Sequence, residues 1–166
     1  MMDLSDRIIP YKNYQGDWHK FIEDLYEVFV RDFIASMPTF KGHNVDFADK
    51  RRIDSNKEEC FWHITSRDYK IIQKGLPIID RKPDIIRAER IAWIREIIEN
   101  ADDPSILMWI NKTGFKAPRY HLWYNHEFLV VINDLDRYGA YSLITSFHTS
   151  RDKDIEKYMD EYRRWT

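Results

Sequence analysis

His63, Arg119, Ser146 and His148 are the residues of this chain whose types suit chemistry on a phosphodiester. Two imidazoles exchange protons near neutral pH, a guanidinium offers phosphate oxygens a planar fork of permanent charge, and a hydroxyl orients an oxygen. Together they meet the needs of RNA cleavage without a metal. One His takes the proton of a ribose 2′-hydroxyl and the freed oxygen attacks phosphorus. Arg119 steadies the charge building on the phosphoryl oxygens, and the other His protonates the departing 5′-oxygen. His121 and Trp123 add rings on which an unpaired base can stack.

The stretch from Arg119 to His148 must position these groups. It contains the runs Arg119-Tyr-His-Leu-Trp-Tyr124, Glu127-Phe-Leu-Val-Val-Ile-Asn133 and Ala140-Tyr-Ser-Leu-Ile-Thr-Ser-Phe-His148, rich in aromatic and β-branched residues and separated by turn residues. Such runs predict consecutive antiparallel strands, a meander. A period of two puts Tyr120, Leu122, Tyr124, Phe128, Val130, Ile132, Tyr141, Leu143, Thr145 and Phe147 on a core face. The opposite face carries Arg119, His121, Trp123, Glu127, Leu129, Val131, Ser142, Ile144, Ser146 and His148, a mixture expected to stay largely open for function. If the last strand carries a bulge, Thr145 takes the place of Ser146.

Upstream, Tyr14 to Met37 reads as a long amphipathic helix ended by Pro38. Thr39 to Lys57 reads as a long connection with room for a short strand near Val45 to Phe47. Glu58 to Thr65 is expected to be a strand carrying His63, and Gly75 and Pro77 mark a turn. Pro83 and Asp84 open a helix running to Asn100. Ser105 to Asn111 is a short strand, Thr113 to Pro118 a loop into Arg119, and Arg151 to Trp165 a charged helix with one apolar side. Within the Asp84 helix, Arg87 and Arg90 lie three apart and offer a second phosphate-binding cluster; the plainer reading pairs such cations with Glu89 and Glu96. The order of elements implies an α+β fold: an antiparallel sheet of about four or five strands, with the C-terminal meander, packed on helices. The expected organisation is one domain over residues 1–166, with an N-terminal helical arm at 14–37 and an α+β core at 58–166.

A chain of 166 residues with 15% aromatic content can bury a core without disulfides. Its net charge of −2 argues against a general nucleic-acid coating protein and leaves room for a local cluster that meets a few phosphates. The single cysteine, Cys60, suits a reducing compartment, and the start, Met-Met-Asp-Leu-Ser-Asp, lacks a charged-then-apolar leader, so the expected location is the cytoplasm. No apolar run approaches the roughly 20 residues of a bilayer span, so no membrane association is expected. No His or Cys pair has metal-ligand spacing, and no Gly-rich phosphate loop appears; neither metal nor cofactor is expected.

The motifs Phe61-Trp-His-Ile-Thr-Ser66, Pro118-Arg-Tyr-His-Leu-Trp123 and Thr145-Ser-Phe-His148 resemble, over about the last two thirds of the chain, the ribonuclease superfamily that groups barnase, EndoU-type, colicin-type and RelE-type toxins. The resemblance implies a small metal-independent endoribonuclease, toxin-like or phage-associated, acting on RNA. It assigns His63 as base or acid, Arg119 as phosphate contact, and the Ser146 hydroxyl and His148 imidazole as further site groups; an inhibitor protein is an expected partner. The competing expectation is a non-catalytic interaction module that binds a partner protein, or a second copy of itself as a homodimer, through an aromatic sheet face.

Overall fold

The computed structural model describes residues 1–114 and 117–166, with all side chains except those of Tyr69, Lys70, Ile71 and Ile79. Phe115 and Lys116, part of the expected loop 113–118, lie outside the described residues. Helix α1 spans Trp18–Phe29 and starts later than expected, because Gln15 and Gly16 take positive φ (48° and 78°) and break the chain direction. Asp17 caps it by accepting from the Lys20 amide at 3.0 Å. Phe21, Ile22, Leu25 and Phe29 form its buried stripe, and the helix widens into a π turn over Val30–Ile34 before Pro38. The Phe29 ring meets Phe47 at 5.1 Å and Phe61 at 5.7 Å, so α1 belongs to the same core as the rest of the chain.

The segment read as a connection supplies two strands, β1 (Thr39–Phe40) and β2 (His43–Phe47), joined by Lys41 and Gly42, both at positive φ. The expected strand at 58–65 is instead helix α2, Glu59–Thr65. Its buried residues, Cys60, Phe61, Ile64 and Thr65, follow helical spacing, and Thr65 Oγ1 donates back to the Phe61 carbonyl at 2.9 Å. A hairpin follows, β3 (Ser66–Gln73) with β4 (Leu76–Pro83), turning at Lys74 and Gly75. The expected helix from Asp84 to Asn100 is two helices, α3 (Ile85–Glu89) and α4 (Ile91–Glu99), broken at Arg90. Then come β5 (Ile106–Asn111), β6 (Arg119–Tyr124), β7 (Phe128–Asn133), β8 (Tyr141–His148) and helix α5 (Asp152–Trp165).

The fold is α+β, and its main sheet departs from the wholly antiparallel arrangement of four or five strands. It has six strands in the order β1-β2-β8-β7-β6-β5, and β2 runs parallel to β8; β3 and β4 form a separate two-stranded ribbon. From β5 to β8 each strand pairs antiparallel with the next. One sheet face, with Tyr120, Leu122, Tyr124, Phe128, Val130, Ile132, Tyr141 and Leu143, packs against α1, α2 and α4.

The other face is closed as well. Trp109, Trp123, Leu129 and Val131 form a second core with Tyr158 of α5, joined by Ile155, Met159, Tyr162 and Trp165. Removing an aliphatic side chain such as Leu129 from water is worth roughly 1.5–3 kcal/mol. That gain explains why the helix settles there. Two polar groups of the face are met from α5: Glu161 accepts from Trp109 Nε1 at 3.0 Å and from Asn111 Nδ2 at 2.7 Å.

Candidate functional site

The predicted residues divide between two ends of the sheet. Arg119 stands level with Asn133 and Ser142, whereas His148 stands level with Phe128 and Tyr124. Five residues of strand separate these levels, about 17 Å at ~3.4 Å per residue. Arg119 therefore does not share a phosphate with His148. His63 sits on α2 rather than a strand, half-buried beside a cavity of about 350 Å³ that also takes in Asp49, Glu59, Asp68, Arg81 and Ile144.

A bulge in β8 explains why the face assignment of its last residues changes. Val131 pairs with Thr145 and Ile132 with Leu143, so Ile144 is the extra residue. Beyond it the faces exchange. Thr145 joins the α5 side, Phe147 packs toward Tyr158 at 6.0 Å instead of into the main core, and Ser146 turns into the main core. Ser146 is fully buried and its Oγ has no hydrogen-bond partner, so it has no route to a substrate.

The rings proposed for base stacking are closed off. Trp123 is fully buried and donates from Nε1 to Thr149 Oγ1 at 2.8 Å. His121 is stacked on Trp109 at 5.0 Å, with Nε2 3.5 Å from Glu161. Burial lowers the pKa of His121, with Glu161 opposing. Arg87 and Arg90 do not form one cluster either, because the break at Arg90 turns them apart. Arg90 lies over the Trp93 ring at 5.0 Å and donates to the Ile86 carbonyl at 2.9 Å.

What does come together is the root of the β3–β4 hairpin, α3 and the end of β8, and the group at the centre is Asp84. It caps α3, accepting from the Arg87 amide at 3.1 Å. Its Oδ1 lies 3.4 Å from His148 Nε2, and its Oδ2 lies 3.3 Å from Arg67 Nη2 and 3.9 Å from Arg87 Nε. Burial pushes the Asp84 carboxyl up, but hydrogen bonds from His148 and the Arg87 amide, with the positive charge of both residues, outweigh it and bring the pKa to about 2. The other ring nitrogen of His148 is only weakly engaged, 3.5 Å from Ser150 Oγ.

Arg87 ties this cluster to the backbone at His63, a residue that lines the neighbouring cavity with Asp68 and Arg81. Its Nη1 donates to the carbonyls of His63 (2.8 Å) and Ser66 (2.7 Å), and its guanidinium lies 5.7 Å from the centre of the Phe147 ring, beside His148. Its Nε is buried without a hydrogen bond. Burial lowers the pKa of His63 and the charge of Arg87 lowers it further, so the ring is neutral near pH 7. Sequence reasoning marked Asp84 only as the opening of a helix and did not single out Arg67. The signal for both was Pro83-Asp84, since a capping carboxylate at the end of a strand is fixed in place and can hold a second partner.

Among the described residues no group of three or more His, Cys, Asp or Glu is placed to hold a metal ion, and no helix is long and apolar enough to cross a membrane. Comparison with known protein families, with curated proteins and with solved structures finds no match for this chain.

Proposed function

We propose that this protein is a metal-independent endoribonuclease whose reacting groups gather around Asp84 rather than Arg119. The observation that carries the reading is His148, pinned by Nε2 to a carboxylate that also faces Arg67 and Arg87. A carboxylate that orients an imidazole leaves its other nitrogen free to exchange a proton. Arg67, the more exposed of the two guanidiniums, meets the phosphoryl oxygens, and Arg87 lends charge from beneath. His63, neutral at pH 7, accepts the proton of the ribose 2′-hydroxyl; the 2′-oxygen bonds to phosphorus; the bond from phosphorus to the 5′-oxygen breaks, and His148 returns a proton to that oxygen. A 2′,3′-cyclic phosphate and a free 5′-hydroxyl result. The test is incubation with a mixed single-stranded RNA in excess EDTA. Cyclic-phosphate ends are expected, and RNA left whole over long incubation would overturn the reading.

A second reading, a partner-binding module, is favoured by a different surface from the aromatic sheet face, which α5 covers. The β3–β4 ribbon exposes Ile72 (81%) on one face and Leu76 (66%) on the other near its tip, and a two-stranded ribbon is only marginally stable alone. A second copy of the chain is its simplest partner. Sedimentation of the protein should then show a dimer that Ile72→Ser with Leu76→Ser dissociates; a monomer at all concentrations removes this reading.

A further inference from the structure

On the face of the hairpin root that carries Ser66, Asp68 and Arg81, a cleft of about 170 Å³ counts two indoles, Trp18 and Trp62, among its walls. Neither ring is free to turn. Trp18 packs edge-on against Tyr11 at 5.4 Å, and Trp62 is held edge-on to Phe61 at 5.2 Å with its Nε1 donating to the Asp54 carbonyl at 3.2 Å. Both are partly exposed, unlike Trp123.

The charged groups in the walls are Asp54 and Arg81, one of each sign. Arg81 is itself held, donating from Nη2 to Glu59 at 3.0 Å and from Nε to Asp68 at 3.3 Å. A cleft with two indoles, one guanidinium and one carboxylate in its walls suits a neutral planar ring whose edge carries both a donor and an acceptor. It does not suit a phosphate, which the carboxylates would repel.

Its position adds to this. Arg81 is a wall of both this cleft and the cavity beside His63, so the two are neighbours across one guanidinium. Two other wall residues, Ser66 and Pro83, belong to the hairpin root, and the Ser66 carbonyl is one of the two that Arg87 holds on its far side. A nucleotide whose base sat in the cleft would have its sugar next to the cavity that His63 lines, one guanidinium away.

We propose that the Trp18–Trp62 cleft is the subsite for one unpaired nucleobase of single-stranded RNA. The inference rests on the ribonuclease reading and assigns it a substrate class: stacking of this kind needs a base free of a duplex partner.

The experiment uses the full chain and a fluorescent 2′-O-methyl hexanucleotide, which binds and cannot be cleaved because its 2′-oxygens are capped. Trp62→Ala is expected to weaken binding about 5- to 100-fold, the range for loss of one stacked base. Trp62→Phe, which keeps a ring and the packing on Phe61, should recover most of the loss. Moving a single abasic residue along the probe should cost the wild type a similar factor at one position and cost Trp62→Ala nothing there. Equal binding by wild type, Trp62→Ala and every abasic probe, with unmodified RNA still cleaved, overturns the subsite alone. Neither binding nor cleavage overturns the subsite together with the reading it rests on. Binding that depends on Trp62 without any cleavage supports the subsite and removes the catalytic reading.

Discussion

His148→Ala is expected to lower the rate of RNA cleavage by about 10²- to 10⁴-fold, the usual contribution of one positioned proton-transfer group. The fold should survive, because Asp84 keeps Arg67 and its capping bond to α3 when the imidazole is gone. The pair is largely buried, with 17% of the His148 and 9% of the Asp84 side chain exposed, so losing the imidazole should cost about 1–2 kcal/mol and lower the melting temperature by roughly 2–8 °C without unfolding the chain. Arg119→Ala is the matching control. It removes the cation that the sequence pattern favoured, about 17 Å of strand away from His148, and should leave cleavage within a few-fold of wild type. The pH dependence supplies a further check. His63 has a lowered pKa and must be unprotonated to accept a proton, so the acid limb of the rate profile should fall below the ordinary imidazole value. Gel assays of the variants across pH, beside their thermal melts, decide the matter. A rate untouched by His148→Ala but abolished by Arg119→Ala would move the site to the other end of the sheet.

Parts of this arrangement were legible in the residues and parts were not, for reasons that differ from element to element. The runs 119–124, 128–133 and 141–148 show as strands because β-branched and aromatic residues crowd between turn formers. The run at 58–65 has the same composition, yet in so few residues the two periods both fit, and Phe61 with Ile64 and Thr65 settled into a helix. Strands β3 and β4 left little signal because much of the ribbon projects into water and its composition is charged.

The mixed face of the meander invited an open reading, but Phe128-Leu-Val-Val-Ile132 is an unbroken apolar run, the mark of a strand covered on both sides. The apolar stripe of the tail, from Ile155 to Trp165, needed just such a face. The parallel pairing of β2 with β8 joins segments far apart in the chain, and no local pattern encodes it. For the site, the residue types His63, Arg87 and His148 were readable, whereas their grouping depended on the bulge at Ile144 and the break at Arg90. Both are consequences of tertiary packing.

Asp84→Ala should be the most damaging single change outside the apolar core. It removes the cap of α3, worth about 1 kcal/mol, and leaves the buried Arg87 without its carboxylate, a loss for which ~3–5 kcal/mol is typical when one member of a buried pair is deleted. Arg87 keeps its bonds to the carbonyls of His63 and Ser66, so a total of about 3 kcal/mol is expected. At roughly 2–4 °C per kcal/mol for a chain of this size, the melting temperature should fall by about 10 °C. Asp84→Asn keeps an acceptor for the cap and should cost less. The two carboxyl states also differ with pH in a definite sense. The folded pKa lies near 2 and the ordinary value is 3.8, so the carboxylate is preferred by the folded chain. Its contribution is complete above about pH 4 and is lost as the pH falls toward 2. Other carboxylates with lowered pKa, Asp24 and Asp49 among them, act equally in wild type and variant, so the difference between their stability curves isolates Asp84. That difference should shrink between pH 4 and pH 2 in denaturant titrations. A constant gap across this window would mean that Asp84 holds the hairpin root by shape alone and that its charge does not orient His148.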